Sequence, residues 1–298
     1  MSQVNIVIVN WNTGGLLAKC LRSLVDSGDR DLINKIFVAD NASSDNSLAQ
    51  AKRVSGEMNN VAWMELSGNL GFAKANNLAL AKSGFNNHVL LLNPDTQVAP
   101  GAIRALLKTF DEDKKAGVVG ARLLNTDGSI QPSVRLLPTG KILAGLMLKL
   151  NRLRPKAKMW REYLAEDFDY RKQQEVEQVM GAVFLINKEL LRQIGGLDEC
   201  FWIWFEEVDY CFNARKRGWR IVYRPDAPVV HFGGASLNQL VGIKKSWLWA
   251  IASIKYASKN LRGFSAVLLI LLLPISLVLS IPAGLHHRQL RANTKEKI

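Results

Sequence analysis

Cysteine is scarce: Cys20, Cys200 and Cys211 are the only three in 298 residues. Their number is odd and they show neither C-x-x-C nor zinc-finger spacing, which argues against a disulfide framework or a structural zinc site and points to a reducing compartment. A basic n-region is missing from the first residues, whose short β-like apolar run reads as a first strand rather than a signal peptide. Internal repeats and low-complexity tracts are absent as well. Acidic residues are too few to balance the basic ones, 26 against 39, which leaves a net charge of +13 and a pI near 9.7. Such an excess calls for an anionic partner: nucleic acid, a membrane surface or a phosphate-rich substrate. The basic residues gather beside apolar segments and form no recognisable nucleic-acid motif, so nucleic acid is not expected.

Charge is missing altogether from residues 264–285. As one helix this stretch would be about 33 Å long, against a hydrocarbon core of about 30 Å. Pro274 sits near its middle, and basic residues flank it on both sides: Lys244, Lys245, Lys255, Lys259 and Arg262 before it, Arg288, Arg291, Lys295 and Lys297 after it. Because basic excess marks the cytoplasmic side, a re-entrant hairpin bent at Pro274 stands beside a single span. Residues 244–261 place Trp247, Ala250, Ile251, Ile254 and Leu261 on one helical face, the pattern of a helix lying in a membrane interface, with Trp249 and Tyr256 suited to headgroup level. The alternative is a buried terminal helix packed on the domain. The membrane reading places the protein on the cytoplasmic face of the plasma membrane, held there by residues 241–298.

Before the tail, strand-like runs at 4–10, 35–40, 61–66 and 88–93 alternate with helical patterns at 16–25, 46–54, 72–81 and 102–110. This alternation predicts an α/β fold with a mostly parallel central sheet and helices on both faces. A strand is expected at 118–123, another apolar run at 179–186, helices at 188–194 and 206–217, and a last strand at 219–223. Residues 137–178 lose periodicity and are rich in Lys and Arg, so they read as a mobile connection over the site. The expected organisation is one catalytic domain over 1–240 and a membrane-associated helical segment over 241–298.

Polar clusters sit where strands end or helices begin, where open α/β sheets gather ligand-binding groups. They are Val38-Ala39-Asp40-Asn41-Ala42-Ser43-Ser44-Asp45, then Asn69-Leu70-Gly71-Phe72, then Leu92-Asn93-Pro94-Asp95, then Glu206-Glu207-Val208-Asp209. Asp40 can accept a hydrogen bond from a base imide N–H, although Asn41, Ser43, Ser44 and Asp45 are also good turn and cap residues. Gly71 opens a helix where backbone N–H groups can approach an oxyanion or a ribose. Asp95 can hold a hard cation whose shell phosphates complete, and Asn-Pro-Asp is equally a turn sequence. The acidic cluster opens a helix, which its dipole favours. That placement leaves the aromatic run Phe201-Trp202-Ile203-Trp204-Phe205 before it unexplained, and Trp202 and Trp204 read as an acceptor wall.

The order of these clusters, over residues 4–236, resembles the family 2 glycosyltransferases. The resemblance implies a GT-A-type nucleotide-sugar-binding fold with Mg2+ or Mn2+. It assigns Asp40 to the nucleotide, Asn10 to the base-contacting edge, and Asn69, Gly71 and Asn77, through N-x-G-x-x-x-A-x-N, to nucleotide or donor sugar. The family's D-x-D appears here as N-P-D, so Asn93 and Asp95 become donor and metal contacts, with His231 as a third ligand. Glu207 takes the place of the general base, and Glu206 and Asp209 orient the helix or the acceptor. Ser133-Val134-Arg135-Leu136-Leu137-Pro138-Thr139 and Gly181-Ala182-Val183-Phe184 resemble bacterial rhamnosyltransferases of cell-surface polysaccharide, O-antigen-like assembly. The expectation is inverting transfer of rhamnose from dTDP-rhamnose to a lipid-linked or polysaccharide acceptor. The alternatives are a UDP-hexose donor, for galactosyl, glucosyl or N-acetylglucosaminyl transfer, or a catalytically silent membrane scaffold.

Overall fold

Every position of Val4–Asn10 (β1) is buried, the pattern of a strand covered on both faces. In this computed structural model, which describes residues 2–234, 242–261 and 263–281, β1 is followed by Leu16–Asp26 (α1), Ile33–Asp40 (β2), Ser47–Val54 (α2), Val61–Glu65 (β3), Phe72–Ser83 (α3), His88–Leu92 (β4), Thr96–Val98 (β5), Ala102–Glu112 (α4) and Ala116–Leu124 (β6). The second half comprises Val134–Arg135 (β7), Gly140–Met147 (α5), Leu150–Leu153 (α6), Lys158–Tyr163 (α7), Gln174–Val176 (β8), Gln178–Val179 (β9), Val183–Ile186 (β10), Lys188–Ile194 (α8), Glu206–Lys216 (α9), Arg220–His231 (β11), Gly242–Asn260 (α10) and Phe264–Val278 (α11).

The strands order as β3-β2-β1-β4-β10-β6-β11-β5, with β8 also beside β11. β3, β2, β1 and β4 are mutually parallel, as are β6 and β11. β10, however, lies antiparallel between β4 and β6, and β5 and β8 run antiparallel to β11. The sheet is therefore mixed, not mostly parallel. Residues 180–182 lead into β10 from β9, which pairs with β7 in a separate two-stranded sheet. Those residues lie at the carboxyl end of β4, where Asn93 N–H donates to the Ala182 carbonyl at 2.9 Å, so β10 enters there and must run back.

Side chains of β1 alternate between two cores. Ile6 and Ile8 pack with Leu17 and Leu21 of α1 and Leu106 of α4, and Val7 and Val9 with Leu80 of α3, Leu190 of α8 and Tyr210 of α9. A third core joins Leu143 and Met147 of α5, Phe201, Phe205 and Val208 at the head of α9, Ala250 and Tyr256 of α10, and Leu269 of α11.

That third core ties the tail to the head of α9. Tyr256, expected at headgroup level, is fully buried with its ring near Phe205 and Phe212. Residues 137–178, read above as a mobile connection, instead carry α5, α6, α7 and β8, with Ile142, Trp160 and Tyr163 in a small core of their own. α11 has 15 residues, about 22 Å, and continues as helix past Pro274, so the chain makes no hairpin there. Among the described residues, no helix is long and apolar enough to cross a membrane. Arg262, residues 282–285 and the basic residues beyond them lie outside the described residues. All three cysteines are free.

Candidate active site

One cavity of about 360 Å³ opens at the carboxyl ends of β1 and β4. Of the residues expected in the site, it is lined by Asn69, Gly71, Asn93, Asp95, His231, Trp202, Trp204, Glu206 and Glu207. Asn10, Asp40, Asn77 and Asp209 do not line it.

Strand register brings Asp95 and His231 together. β5 pairs antiparallel with β11 so that His231 faces Thr96, and Phe232 N–H donates to the Asp95 carbonyl at 2.9 Å. His231 Nε2 stands 3.4 Å from Asp95 Oδ1, and both side chains are buried. Nε2 has no hydrogen-bond partner, while Nδ1 lies 2.6 Å from Gln131 Oε1. An orphaned imidazole nitrogen beside a carboxylate fits a divalent cation whose remaining shell phosphates and water fill. Among the described residues, no group of three or more His, Cys, Asp and Glu side chains gathers around such a position. Asn93 lines the cavity, and its carbonyl accepts from Thr96 Oγ1 at 2.7 Å.

The turn after β2 is a closed hydrogen-bond network. Asp40 Oδ1 accepts from Asn10 Nδ2 and from Ser43 Oγ, both at 2.7 Å, and its Oδ2 accepts from Ser43 N–H at 3.0 Å. Asn10 is fully buried and also reaches Ser47 Oγ at 2.9 Å. Asn41, which the sequence reading passed over, lines the cavity and donates to Asn69 Oδ1 at 3.0 Å. Gly71, at φ 87°, has a different constraint from the one expected. A Cβ there would stand 2.5 Å from Trp202 Cδ1 and from the Trp202 carbonyl oxygen, which accepts the Phe72 N–H. The helix N-terminus is thus closed by the aromatic wall. Asn77 joins α3 to the segment before that wall by accepting from Leu197 N–H at 2.9 Å and donating to its carbonyl at 2.7 Å.

Across the cavity the backbone is strained. Trp204 and Phe205 occupy the left-handed region at φ 62° and 70°, unfavourable for bulky residues. Glu206 and Glu207 follow directly, and each keeps an Oε2 with no hydrogen-bond partner. Burial raises the pKa of Glu206 well above the usual 4.5, and the charge of Glu207 adds to the effect. Glu207 is also raised by burial, with Arg135 pulling the other way. Arg135 is close enough to act on the Tyr163 hydroxyl as well. Arg135 and Tyr163 line the cavity as well; the sequence marks neither as a site residue, and Tyr163 falls in the stretch that lacks clear periodicity. Asp209 faces the opposite way. It accepts from Lys259 Nζ at 2.9 Å and Asn260 Nδ2 at 2.6 Å, fastening α10 to α9.

Comparison with solved structures gives the class of this fold. The chain superimposes with a TM-score of 0.60 and 17% identity on GalNAc-T7 with UDP, GalNAc and Mn2+, covering 78% of this chain and 43% of that one, so it spans under half of that structure. On the mannosyltransferase PcManGT of Pyrobaculum calidifontis, in complex with GDP-Man and Mn2+, the TM-score is 0.57 at 15% identity, covering 98% and 80%. The fold is that of GT-A-like glycosyltransferases. Residues 5–195 match the model of glycosyl transferase family 2, and the chain belongs to that family. It is also 30% identical over 236 residues to the N-acetylglucosaminyl-diphospho-decaprenol L-rhamnosyltransferase of Mycobacterium tuberculosis, covering 76% of this chain and 75% of the relative.

Proposed function

We propose that the protein is an inverting, metal-dependent rhamnosyltransferase that moves rhamnose from dTDP-rhamnose to a sugar carried on a polyprenyl diphosphate, at the cytoplasmic face of the plasma membrane, in cell-surface glycan assembly. The observation that carries this reading is one cavity holding both the Asp95–His231 pair and the buried Glu206–Glu207 pair. The similarity to a rhamnosyltransferase over three quarters of both chains supports the sugar and the lipid-linked acceptor.

Glu207 takes the proton of the acceptor hydroxyl as that oxygen bonds to the anomeric carbon, and the bond to the diphosphate breaks on the opposite face. A raised pKa brings this base nearer to the working pH. Asp95, His231 and the Asn93 amide would hold Mn2+ or Mg2+, and a cation there would offset charge on the departing diphosphate; an imidazole ligand would favour Mn2+. Asp40 and Asn10 shape the nucleotide turn that Asn41 and Asn69 present to the cavity. Trp202 and Trp204 offer aromatic faces to the sugars. Among the described residues lining the cavity, Arg135 is the one Lys or Arg, which suits it to an acceptor phosphate.

Membrane association is supported by the surface. α11 exposes Phe264, Val267, Leu271, Ile275 and Val278 along one stripe. Residues 128–161 contain eight basic residues and no acidic one, and their exposed stretch from Arg152 to Lys158 includes Leu153 at 77% exposure. Apolar area beside positive charge fits an anionic bilayer.

The test is nucleoside diphosphate release from dTDP-, UDP- and GDP-sugars, with Mn2+, Mg2+ or EDTA, in the presence of N-acetylglucosaminyl-diphospho-polyprenol. Release from dTDP-rhamnose that EDTA abolishes, with an inverted anomeric product, is the expected result. Release from a UDP-hexose alone would replace the donor, and no turnover with any donor would favour the silent scaffold. For the membrane, Leu271→Asp is expected to weaken sedimentation with phosphatidylglycerol vesicles several-fold and to leave the melting temperature in place. Unchanged binding would remove α11 from the contact.

A further inference from the structure

After β6 the chain turns tightly through Asn125-Thr126-Asp127-Gly128-Ser129. Gly128 sits at φ 82°, Asn125 N–H donates to the Ser129 carbonyl at 2.8 Å, and Ile130 bridges back antiparallel to Leu124. Asn, Asp, Gly and Ser are the residues such a turn favours. The next residue, Gln131, is fixed by its own N–H donating to the Leu123 carbonyl at 2.9 Å, which sets its side chain against His231 at the end of β11.

The sense of the Gln131 amide follows from its neighbours. Nε2 donates to the His231 backbone carbonyl at 3.3 Å and to Asn125 Oδ1 at 3.0 Å. A backbone carbonyl can only accept, so the amide NH2 must face it and Oε1 must face His231 Nδ1, 2.6 Å away. An amide oxygen cannot donate either, so Nδ1 carries the proton. Further out, Asn125 Nδ2 donates to Ser129 Oγ at 2.9 Å, and the Ser129 hydroxyl donates to Asp127 Oδ1 at 2.6 Å. The chain ends on an exposed carboxylate, and every bond in it runs one way.

With Nδ1 protonated, a neutral His231 presents the Nε2 lone pair 3.4 Å from Asp95 Oδ1. Two acceptors facing each other without a proton between them repel, and a cation held by both relieves this. We propose that Gln131 is a positioning residue: seated by the Asn125–Ser129 turn, it holds His231 as the Nδ1–H tautomer so that Nε2 faces a divalent cation beside Asp95. This rests on the reading of Asp95 and His231 as metal ligands.

The first measurement needs no variant. In the metal-free full-length protein, at a pH high enough for the imidazole to be neutral, a long-range proton–nitrogen correlation on labelled histidine is expected to show His231 as the Nδ1–H tautomer; an Nε2–H tautomer overturns the proposal. The second is Mn2+ affinity without donor, read by electron paramagnetic resonance. Gln131→Met, nearly isosteric but without the acceptor, is expected to mix the tautomers and to weaken Mn2+ binding by about 10- to 100-fold. His231→Ala separates the two levels. If it leaves Mn2+ affinity unchanged, the metal assignment itself fails. If it weakens Mn2+ binding while Gln131→Met changes neither tautomer nor affinity, only the role of Gln131 fails.

Discussion

At the strand ends behind the cavity, Asn10, Asp40, Ser43 and Ser47 satisfy one another through hydrogen bonds formed between two adjacent parallel strands and the turn after the second. In the cavity wall, Glu206 and Glu207 each keep a bare oxygen, and two bulky residues before them hold left-handed backbone. The first half rests on local turn chemistry at strand ends. The second places desolvated carboxyls and backbone strain inside an apolar wall, and such a wall persists only where surrounding structure over-determines it. Here that structure is remote in sequence: α5, α10 and α11 close the third core around Phe201 and Phe205, and Lys259 and Asn260 grip Asp209 on the far face of α9.

If the two sides divide the work in this way, the largest effect comes from the base. Glu207→Gln is expected to lower turnover by about 10²- to 10⁴-fold while dTDP binding, measured by calorimetry, stays within about twofold of the wild type's; retained turnover would break the division. Next, Asp95→Ala should weaken Mn2+-dependent nucleotide binding by roughly 10- to 100-fold, the worth of about 1.5–3 kcal/mol for a charged contact. An equal loss with EDTA present would show that the defect is not in the metal.

Gly71→Ala tests the seam between the halves. Positive φ and the approach of Trp202 to 2.5 Å of a Cβ predict a loss of about 1–3 kcal/mol in denaturant unfolding, together with weaker acceptor use as the wall is displaced. Lys259→Met tests the remote support. The Lys259 side chain is 35% exposed, and Asp209 keeps Asn260 and Asn213. The expected loss is therefore about 1–2 kcal/mol, below that for breaking a fully buried pair. A larger fall in turnover than in nucleotide binding would tie the grip to the acceptor side.

The smallest effect is on pH dependence. Burial raises both Glu206 and Glu207, so the folded chain holds protons that the unfolded chain releases above the usual value of 4.5. Their contribution to stability is present in full below that value and is lost as pH rises through the raised folded values. Glu206→Gln removes one of the two groups, so its melting temperature should fall less steeply than the wild type's between about pH 5 and pH 8. Equal slopes would mean that Glu206 does not hold its proton.

Much of the chemistry at the strand ends was legible. The apolar runs ending at Asn10, Asp40 and Asn93 became β1, β2 and β4 within a residue or so, because strand periodicity and the turn residues after it are local properties. The apolar run at 179–186 was legible as extended chain but not as an antiparallel insertion, since an apolar run carries no direction. Residues 137–178 escaped notice because α6 and α7 are short and hold their shape through Trp160 and Tyr163 rather than through their own periodicity. Arg135 and Tyr163 gave no local sign that they would meet Glu207. Asp209 read as one of an acidic trio, yet its partners come from α10, about fifty residues on.

The sequence by itself determined the strand-and-helix alternation, the placing of polar clusters at strand ends, the turn after β2 and the family, all properties written within a few neighbouring residues. Only the tertiary structure decided that His231 stands beside Asp95 and Gln131, that Glu206 and Glu207 are desolvated while Asp209 is bound to α10, and that the apolar tail packs on Phe201 and Phe205 before it exposes the stripe on α11. Strand register, burial and the field of distant charges exist only once remote segments have packed together.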